Sequence, residues 1–297
     1  MKTPFLISLL LFILLLSCNR TGPSEQIEEL VIGFVPSEEA ERMVKNMEPV
    51  TDFLESELAI PVKIFQGSDY TAIIEGMRGE KVDIGVFGPF SYVLASNKAG
   101  AEPLVVPCSK SGVPAHYQSL IITHVGTGLT TLDELMDTSG AYSLSFSDPA
   151  STSGHLVPRG HLRRLDIVPE DHFTDILFSG SHTATILSLA NQKVDVAGCS
   201  YNVFQKMIER EMLDTSQVRI LWKSAPMPVD LVTVRKGLPE KVKRQLREIY
   251  VRVADEEPAS AGYFYEEWND STLVFQPAHD SLYSEIRRLS QLVMNDL

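Results

Sequence analysis

Short apolar runs alternate along the chain with longer segments in which apolar residues recur every three or four positions. The short runs are typical of buried β-strands, and the longer spacing is typical of amphipathic helices. The predicted strands are residues 30–35, 62–66, 82–87, 104–107, 120–123, 142–146, 194–197, 218–222 and 231–234. The predicted helices are residues 38–58, 70–79, 90–97, 154–165, 182–191, 202–211, 240–254 and 280–294. This alternation predicts an α/β protein with largely parallel sheets.

One stretch of sequence occurs twice with the same internal spacing. Residues 69–84 and 181–196 share a Thr-Ala pattern near their start, and they end in Lys-Val-Asp-Ile and Lys-Val-Asp-Val. The repeat predicts two similar lobes, with Tyr70 and His182 in the first turn of equivalent helices. Because ligands of open α/β sheets bind beyond the carboxyl ends of the strands, the predicted site is a cleft between the lobes.

The order of these elements also predicts how the lobes share the chain. Lobe 1 is expected to comprise residues 29–122 and 225–297, and lobe 2 to comprise residues 123–224. The two crossovers, near Thr123 and Ser224, are then the expected hinge for closure of the lobes over a ligand.

The first 18 residues form a secretory signal pattern. Lys2 precedes an apolar run over residues 5–16, which is shorter than the roughly 20 residues of a membrane-spanning helix. The ending Leu-Leu-Ser-Cys resembles a lipobox, so Cys18 is the expected lipidation site; the alternative is an ordinary signal peptide with a chance Cys. Residues 19–28 are polar and predict a flexible tether. The expected location is outside the cytoplasm, held to the membrane by the lipid and facing the periplasm or cell exterior.

Composition and charge limit the remaining possibilities. The formal net charge is −13, which argues against nucleic-acid binding, because such binding needs clustered Lys and Arg. No cysteine or histidine spacing indicates a metal site, and no cofactor is predicted. Cys108 and Cys199 either form a disulfide or remain buried free thiols; the sequence leaves both open.

The segment 147–154 carries the clearest candidate chemistry. Ser151, Thr152 and Ser153 follow a predicted strand and open a predicted helix, where unpaired backbone N–H groups and the helix dipole favour an anion. One hydroxyl is enough for a simple helix cap, so three in a row favour a tetrahedral-anion site over capping alone. The segment 179–183 has the same character, and His182 is expected to donate to a phosphoryl oxygen and to be protonated beside a bound dianion.

Together these motifs resemble those of the phosphate/phosphite/phosphonate ABC-transporter binding proteins, a family with the two-lobed type II periplasmic-binding fold. The resemblance spans nearly the whole mature chain. Its landmarks are residues 68–70, 74–78, 81–84, 87–89, 148–154, 194–197 and 222–224, with His182 and Asp230. It implies a monomeric solute-binding protein, not an enzyme, that delivers a small phosphorus oxyanion to an ABC permease.

The resemblance also implies roles for particular residues. Residues matching Tyr70, Ser151, Thr152, Ser153 and His182 hold the phosphoryl oxygens in that family. A tyrosine matching Tyr117 lines the cleft.

The sequence departs from the family pattern at one informative position. Relatives that bind aminoalkyl phosphonates have a glutamate where this chain has Asn202, and a buried ammonium group without a carboxylate partner is costly. With Phe87, Gly88, Pro89 and Phe90 expected to close the pocket around a smaller ligand, phosphite or methylphosphonate is the preferred ligand. Inorganic phosphate is a further candidate if Asp230 accepts a proton from a P–OH group; Asp230 is alternatively a structural residue.

Two other functions stay open at this point. One is an enzyme of the same fold acting on a phosphoryl or amine substrate, against which stands the lack of a Gly-x-Ser-x-Gly elbow and of a suggested Cys–His pair. The other is a ligand receptor for a membrane sensor, which no sequence motif separates from transport.

Overall fold

The computed structural model describes residues 27–36, 40–256 and 270–294. The predicted signal, Cys18 and most of the predicted tether lie outside these ranges. Within them the strands are β1 Leu30–Phe34, β2 Val62–Phe65, β3 Ile84–Phe87, β4 Glu102–Cys108, β5 His116–Tyr117, β6 Ser119–His124, β7 Leu144–Phe146, β8 Ile176–Phe178, β9 Val196–Ser200, β10 Val218–Lys223, β11 Met227–Pro228, β12 Leu231–Val234 and β13 Val274–Pro277. The α-helices are α1 Ala40–Leu58, α2 Tyr70–Arg78, α3 Pro89–Ala99, α4 Val157–Arg164, α5 Pro169–His172, α6 His182–Ala190, α7 Tyr201–Glu209, α8 Glu240–Glu256 and α9 Ser284–Met294.

In the described ranges the strands form two large sheets, one per lobe. The lobe 1 sheet has six strands in the order β13-β4-β12-β3-β1-β2, and the lobe 2 sheet has five in the order β10-β6-β9-β7-β8. β1, β2 and β3 are mutually parallel, as are β7, β8 and β9, whereas β4, β6, β10, β12 and β13 pair antiparallel. The prediction of largely parallel sheets is therefore wrong. The helix-connected strands are parallel, but β6 and β12 enter their sheets directly from the other lobe and run the opposite way.

The two crossovers lie side by side and are hydrogen-bonded to each other. Gln118 Nε2 donates to the Ser224 carbonyl at 2.6 Å, and the Ser119 amide donates to Ser224 Oγ at 2.9 Å. Because β6 already belongs to the lobe 2 sheet, the chain changes lobes at Gln118, ahead of the predicted boundary between residues 122 and 123. β5 and β11 form a short antiparallel pair on the lobe 1 side of this hinge.

The sequence repeat is confirmed as a structural repeat. α2 and α6 each have nine residues. Asp69 and Ser181 cap them by accepting a backbone N–H at 2.7 Å and 3.1 Å. Both helices are followed by a residue with positive φ, Glu80 at 57° and Gln192 at 55°. Equivalent positions throughout the repeat are 112 residues apart in sequence.

The aspartate of each Lys-Val-Asp motif fastens the repeat to its sheet. Asp83 Oδ2 accepts the Val31 amide at 2.9 Å, and Asp195 Oδ2 accepts the Ser143 amide at 2.8 Å. A carboxylate that accepts a backbone N–H contributes about 1.5–3 kcal/mol. The same offset makes the N-terminus of α3 equivalent to that of α7, so each lobe directs two matched helix starts towards the cleft.

The C-terminal helix α9 contacts both lobes. On the lobe 1 side, Arg287 Nη1 donates to Asn97 Oδ1 of α3 at 2.9 Å. On the lobe 2 side, Gly160 of α4 lies so close to Leu289 and Val293 that an added Cβ would be 2.9 and 3.2 Å from their methyl groups. α9 is therefore held to lobe 1 by polar contacts and packs on lobe 2 through apolar ones.

The cysteine alternatives are resolved in favour of free thiols. Cys108 lies in β4 and Cys199 in β9, in different sheets, and both are free and buried. Burial raises the pKa of each thiol, which makes them unreactive. In the described part of the chain, no helix has the length and apolar character needed to span a bilayer.

Candidate functional site

The eight residues predicted to bind ligand all line one cavity between the lobes. The cavity is enclosed by residues from both sheets and from the hinge, and its volume is about 20 Å³, just above the roughly 10–15 Å³ that one water needs. The lining residues are Val35, Tyr70, Gly88, Tyr117, Ser151, Thr152, Ser153, His182, Ser200, Asn202 and Asp230. So small an enclosure suits a small solute, although the binding role of each residue stays a prediction.

The Ser-Thr-Ser segment forms the floor of the cavity through an unusual turn. Thr152–Leu156 is a π-helical turn, in which the Leu156 amide donates to the Ser151 carbonyl at 3.0 Å, and such turns are frequent at functional sites. Ser151 Oγ caps the turn by accepting the Gly154 amide at 3.0 Å. Regular α-helix begins only at Val157, three residues after the start of the predicted helix.

His182 is held as a neutral donor by its neighbours. The Ser200 amide donates to His182 Nδ1 at 3.2 Å, and Ser147 Oγ lies 2.9 Å from the same nitrogen. Because Nδ1 accepts a backbone N–H, the ring proton lies on Nε2, which is 3.4 Å from Ser153 Oγ. A doubly protonated ring would lose the Ser200 bond, so this geometry favours the neutral ring, and protonation beside a bound dianion stays a prediction. Gly154 makes room for the arrangement, since a Cβ there would be 2.3 Å from Ser147 Oγ.

Two hydrogen bonds close the lobes around the cavity. The Phe90 amide at the start of α3 donates to Thr152 Oγ1 of lobe 2 at 2.8 Å. Burial raises the pKa of Asp148, and hydrogen bonds from the backbone amides of Ala150 and of Tyr70, at the start of α2, act in the opposite direction. Side chains of residues 148–152 of lobe 2, here called the anion loop after their predicted role, therefore bond the first turns of two lobe 1 helices and join the lobes beside the cavity.

Tyr70 presents a hydroxyl that stays protonated. Burial raises its pKa well above the ordinary value of 10.0, and the negative charges of Asp148 and Asp230 raise it further. A hydrogen bond with Ser151 acts in the opposite direction. The Tyr70 O–H is therefore available as a donor across the neutral pH range.

The cavity wall opposite the Ser-Thr-Ser turn is formed by the backbone at Gly88 and by the carboxylate of Asp230. An added Cβ on Gly88 would be 3.2 Å from Thr152 Oγ1 and 3.3 Å from Asp230 Oδ1, so glycine leaves this wall open to the ligand. Phe87 and Phe90 are fully buried in the core and do not line the cavity. The expectation that residues 87–90 close the pocket is confirmed for Gly88, which lines the cavity. It is wrong for Phe87 and Phe90, because their side chains point into the apolar interior of lobe 1.

The electrostatics of the lining are unusual for an anion site. Among the described residues that line the cavity, Asp230 is the one with a formally charged side chain, and none is Lys or Arg. An anion here must be held by hydroxyls, the imidazole N–H, helix N-termini and backbone amides. Within the described residues, no cluster of His, Cys, Asp and Glu is arranged to hold a metal ion.

Two lining residues were missed by the sequence reasoning: Val35 and Ser200. The repeat contained the signal for Ser200, because it lies 112 residues after Gly88, which was expected at the pocket, and Tyr70 and His182 are separated by the same interval. Val35 is equivalent to Ser147 by this interval. An apolar residue there gives no chemical pattern that would have singled it out.

Comparison with known proteins identifies chains of the same kind. The family model described as "ABC transporter, phosphonate, periplasmic substrate-binding protein" matches residues 32–283. The Phosphate-import protein PhnD of Mycolicibacterium smegmatis is 30% identical over 242 residues, covering 77% of this chain and 73% of that protein. The Phosphonates-binding periplasmic protein of Escherichia coli is 27% identical over 227 residues, covering 76% and 67%.

A solved structure shows the same architecture. The binding-protein component of an ABC phosphonate transporter from Pseudomonas aeruginosa superposes with a TM-score of 0.80 at 26% sequence identity. The match covers 91% of this chain and 87% of that one. The two-lobed fold expected from the sequence is confirmed.

Proposed function

Because the chain belongs to the family of periplasmic substrate-binding proteins of ABC phosphonate transporters, we propose that it captures phosphite or methylphosphonate for import. Members of this family are transport components that act outside the cytoplasm with a membrane permease, so the enzyme alternative is set aside. The relatives' names refer to phosphonate and to phosphate, which leaves the particular oxyanion to be argued from this chain.

The observation that carries the proposal is the convergence of neutral donors on one small cavity. Hydroxyls of Tyr70, Ser151, Thr152 and Ser153 and the imidazole of His182 face the same space. A desolvated PO₃ group has three oxygens that each accept several hydrogen bonds, and leaving any of them unpaired is expensive. A site made almost wholly of donors fits such a group better than it fits a sugar or an amino acid.

The choice among phosphorus oxyanions rests on two residues. Asn202 offers an amide where a carboxylate would be needed to pair an ammonium group, so aminoalkyl phosphonates are expected to bind weakly. Asp230 faces the cavity as a carboxylate, and it would accept a hydrogen bond from a P–OH group. The monoanions of phosphate, methylphosphonate and phosphite each carry a P–OH group that would use that bond.

The finer localisation is also a proposal. The lipobox-like ending at Cys18 supports a diacylated N-terminus that holds a monomeric protein at the membrane surface. Cys18→Ala is expected to leave binding unchanged and to release the protein from the membrane fraction. Membrane association equal to that of the wild type after this change would exclude lipidation at Cys18.

The deciding experiment is calorimetric titration of residues 19–297 with phosphite, methylphosphonate, phosphate and 2-aminoethylphosphonate. Tight binding of phosphite or methylphosphonate with weak binding of the amine is expected. Tyr70→Phe and His182→Ala should each weaken binding by about tenfold or more, since a hydrogen bond to a charged group contributes about 1.5–3 kcal/mol. Tyr142→Phe is the matched control, because that hydroxyl bonds the Thr127 carbonyl away from the cavity.

If heat of binding is observed with 2-aminoethylphosphonate and with none of the other three compounds, this ligand assignment is rejected. Absence of binding to all four compounds would reject the proposed function.

A further inference from the structure

A buried cation lies in lobe 2 without lining the cavity. Arg159 is 3% exposed, which is rare for arginine and costly unless the charge is paired. Its Nη1 donates to Glu170 Oε1 at 2.7 Å, and the Glu170 side chain is 42% exposed at the other end. Its Cζ also lies 5.2 Å from the centre of the Phe146 ring. The cost of burying this arginine suggests a role beyond the single surface-linked ion pair.

The second connection of Arg159 leads to the anion loop. Arg159 Nε donates to His155 Nε2 at 2.9 Å, and His155 Nδ1 lies 2.7 Å from the Pro149 carbonyl. Because Nε2 accepts, the ring proton must be on Nδ1 and must point at Pro149. His155 is 2% exposed, and burial lowers its pKa to about 4. The ring is therefore neutral and fixed in one tautomer at neutral pH.

His155 is hydrogen-bonded to a peptide unit that lies just before Ser151, the first of the three predicted ligand-binding hydroxyl residues of the turn. The Pro149 carbonyl and the Ala150 amide belong to one peptide unit, and the Ala150 amide donates to Asp148 Oδ1 at 2.7 Å. The carbonyl and the amide of that unit are therefore both hydrogen-bonded, the carbonyl to His155 and the amide to Asp148. The next residue, Ser151, donates its amide to the Asp148 carbonyl at 2.9 Å. Rotation of this peptide would redirect the whole turn that follows.

We propose that His155 and Arg159 are positioning residues for the oxyanion site. Arg159 fixes the tautomer and orientation of His155, and His155 fixes the Pro149–Ala150 peptide, so that the hydroxyls and amides of residues 151–153 point into the cavity. Neither side chain contacts the ligand. This inference rests on the proposed function for its effect on affinity, but its effect on the loop is independent of the ligand.

Three variants separate this role from general stabilisation. His155→Phe keeps a ring but removes both hydrogen bonds, whereas His155→Asn keeps an amide donor near the position of Nδ1. Arg164→Gln is the matched control, because it removes one exposed positive charge from the same helix. Each protein is titrated with phosphite and methylphosphonate, and amide hydrogen exchange of residues 147–154 is measured without ligand. Arg159→Met, which frees the His155 ring, replaces His155→Phe if that variant does not fold.

We expect His155→Phe to lose ligand affinity and protection of the loop amides, and His155→Asn to retain both. His155→Phe should bind about tenfold more weakly and exchange its loop amides faster, while His155→Asn should stay within about threefold of wild type. Arg164→Gln should change neither quantity. Unchanged affinity and exchange in His155→Phe, even with a lowered melting temperature, would overturn the proposal.

If the wild type binds neither compound, the function proposed above fails and the exchange comparison still decides this inference. Faster exchange in His155→Phe that His155→Asn restores supports positioning, and equal exchange overturns it.

Discussion

Acid is expected to weaken the fold through His155, and His155→Phe is expected to remove that sensitivity. The pKa of His155 is lowered from 6.5 to about 4, chiefly by burial and further by the charge of Arg159. Between these two values the unfolded chain binds a proton that the folded chain does not. The contribution of the neutral ring to the free energy of unfolding is therefore fully present above pH 6.5 and declines as the pH falls towards 4.

The size of the effect follows from the two pKa values. A lowering of the His155 pKa from 6.5 to about 4 corresponds to about 3 kcal/mol, since a tenfold change in proton affinity is about 1.4 kcal/mol. At about pH 5 the folded ring is still mostly neutral and the unfolded ring is mostly charged, so about 2 kcal/mol of this has been lost. Partial burial raises the pKa of Glu170, but Arg159 acts in the opposite direction and the pKa is lowered overall. Glu170 therefore remains ionised at about pH 5 and does not contribute to the change in unfolding free energy.

The assay is urea unfolding followed by circular dichroism, with wild type and His155→Phe measured in parallel from about pH 7.5 to about pH 5. The variant is less stable at neutral pH, because it loses two hydrogen bonds. The gap between the two unfolding free energies should narrow by about 2 kcal/mol as the pH falls. A gap that stays constant across this range would refute the description of His155 as a buried neutral ring.

Three further predictions concern the site and the core. Gly154→Ala should weaken phosphite binding by about tenfold or more in calorimetry, because its Cβ would be 2.3 Å from Ser147 Oγ; wild-type affinity would contradict the close packing. Asn202→Glu should raise the affinity for 2-aminoethylphosphonate relative to methylphosphonate by about tenfold, since it supplies the missing carboxylate; an unchanged ratio would place the ligand's substituent elsewhere. A thiol reductant should leave the melting temperature unchanged in scanning calorimetry, because Cys108 and Cys199 are buried free thiols; a lower value would indicate a disulfide.

The sequence predicted best the long helices, in which the spacing of apolar residues repeats several times. The helix expected at residues 240–254 is α8, Glu240–Glu256, and the repeat correctly placed two matched helices. The strands β5, β8, β11 and β13 were missed because each has at most one buried residue, so they lack the buried apolar run that marks the equally short β3, β7 and β12. They exist because a neighbouring strand offers them hydrogen bonds, which is a tertiary effect.

Within the site, residue types were easier to predict than orientations. Every residue singled out for ligand binding lines the cavity. The hydroxyls and the histidine at helix starts carry a recognisable chemistry, whereas Tyr117, Asn202 and Asp230 were implied only by the family resemblance. The error on Phe87 and Phe90 arose because both flank Gly88 closely in sequence, yet only the backbone between them faces the ligand. Arg159 gave no signal at all, since an arginine on a polar helix is usually solvated, and only the fold reveals that this one is buried.

The structural repeat has a consequence for the order of events during capture. The positions 112 residues before Ser151, Thr152 and Ser153 hold glutamate, alanine and glutamate, so only one copy of the repeat has the Ser-Thr-Ser sequence. If residues 151–153 bind the solute as proposed, an open molecule offers most of its hydroxyls on lobe 2 at first encounter, and lobe 1 adds Tyr70, Tyr117 and Asp230 when the lobes close. Lobe 2 would then set the rate of capture, and lobe 1 the lifetime of the complex.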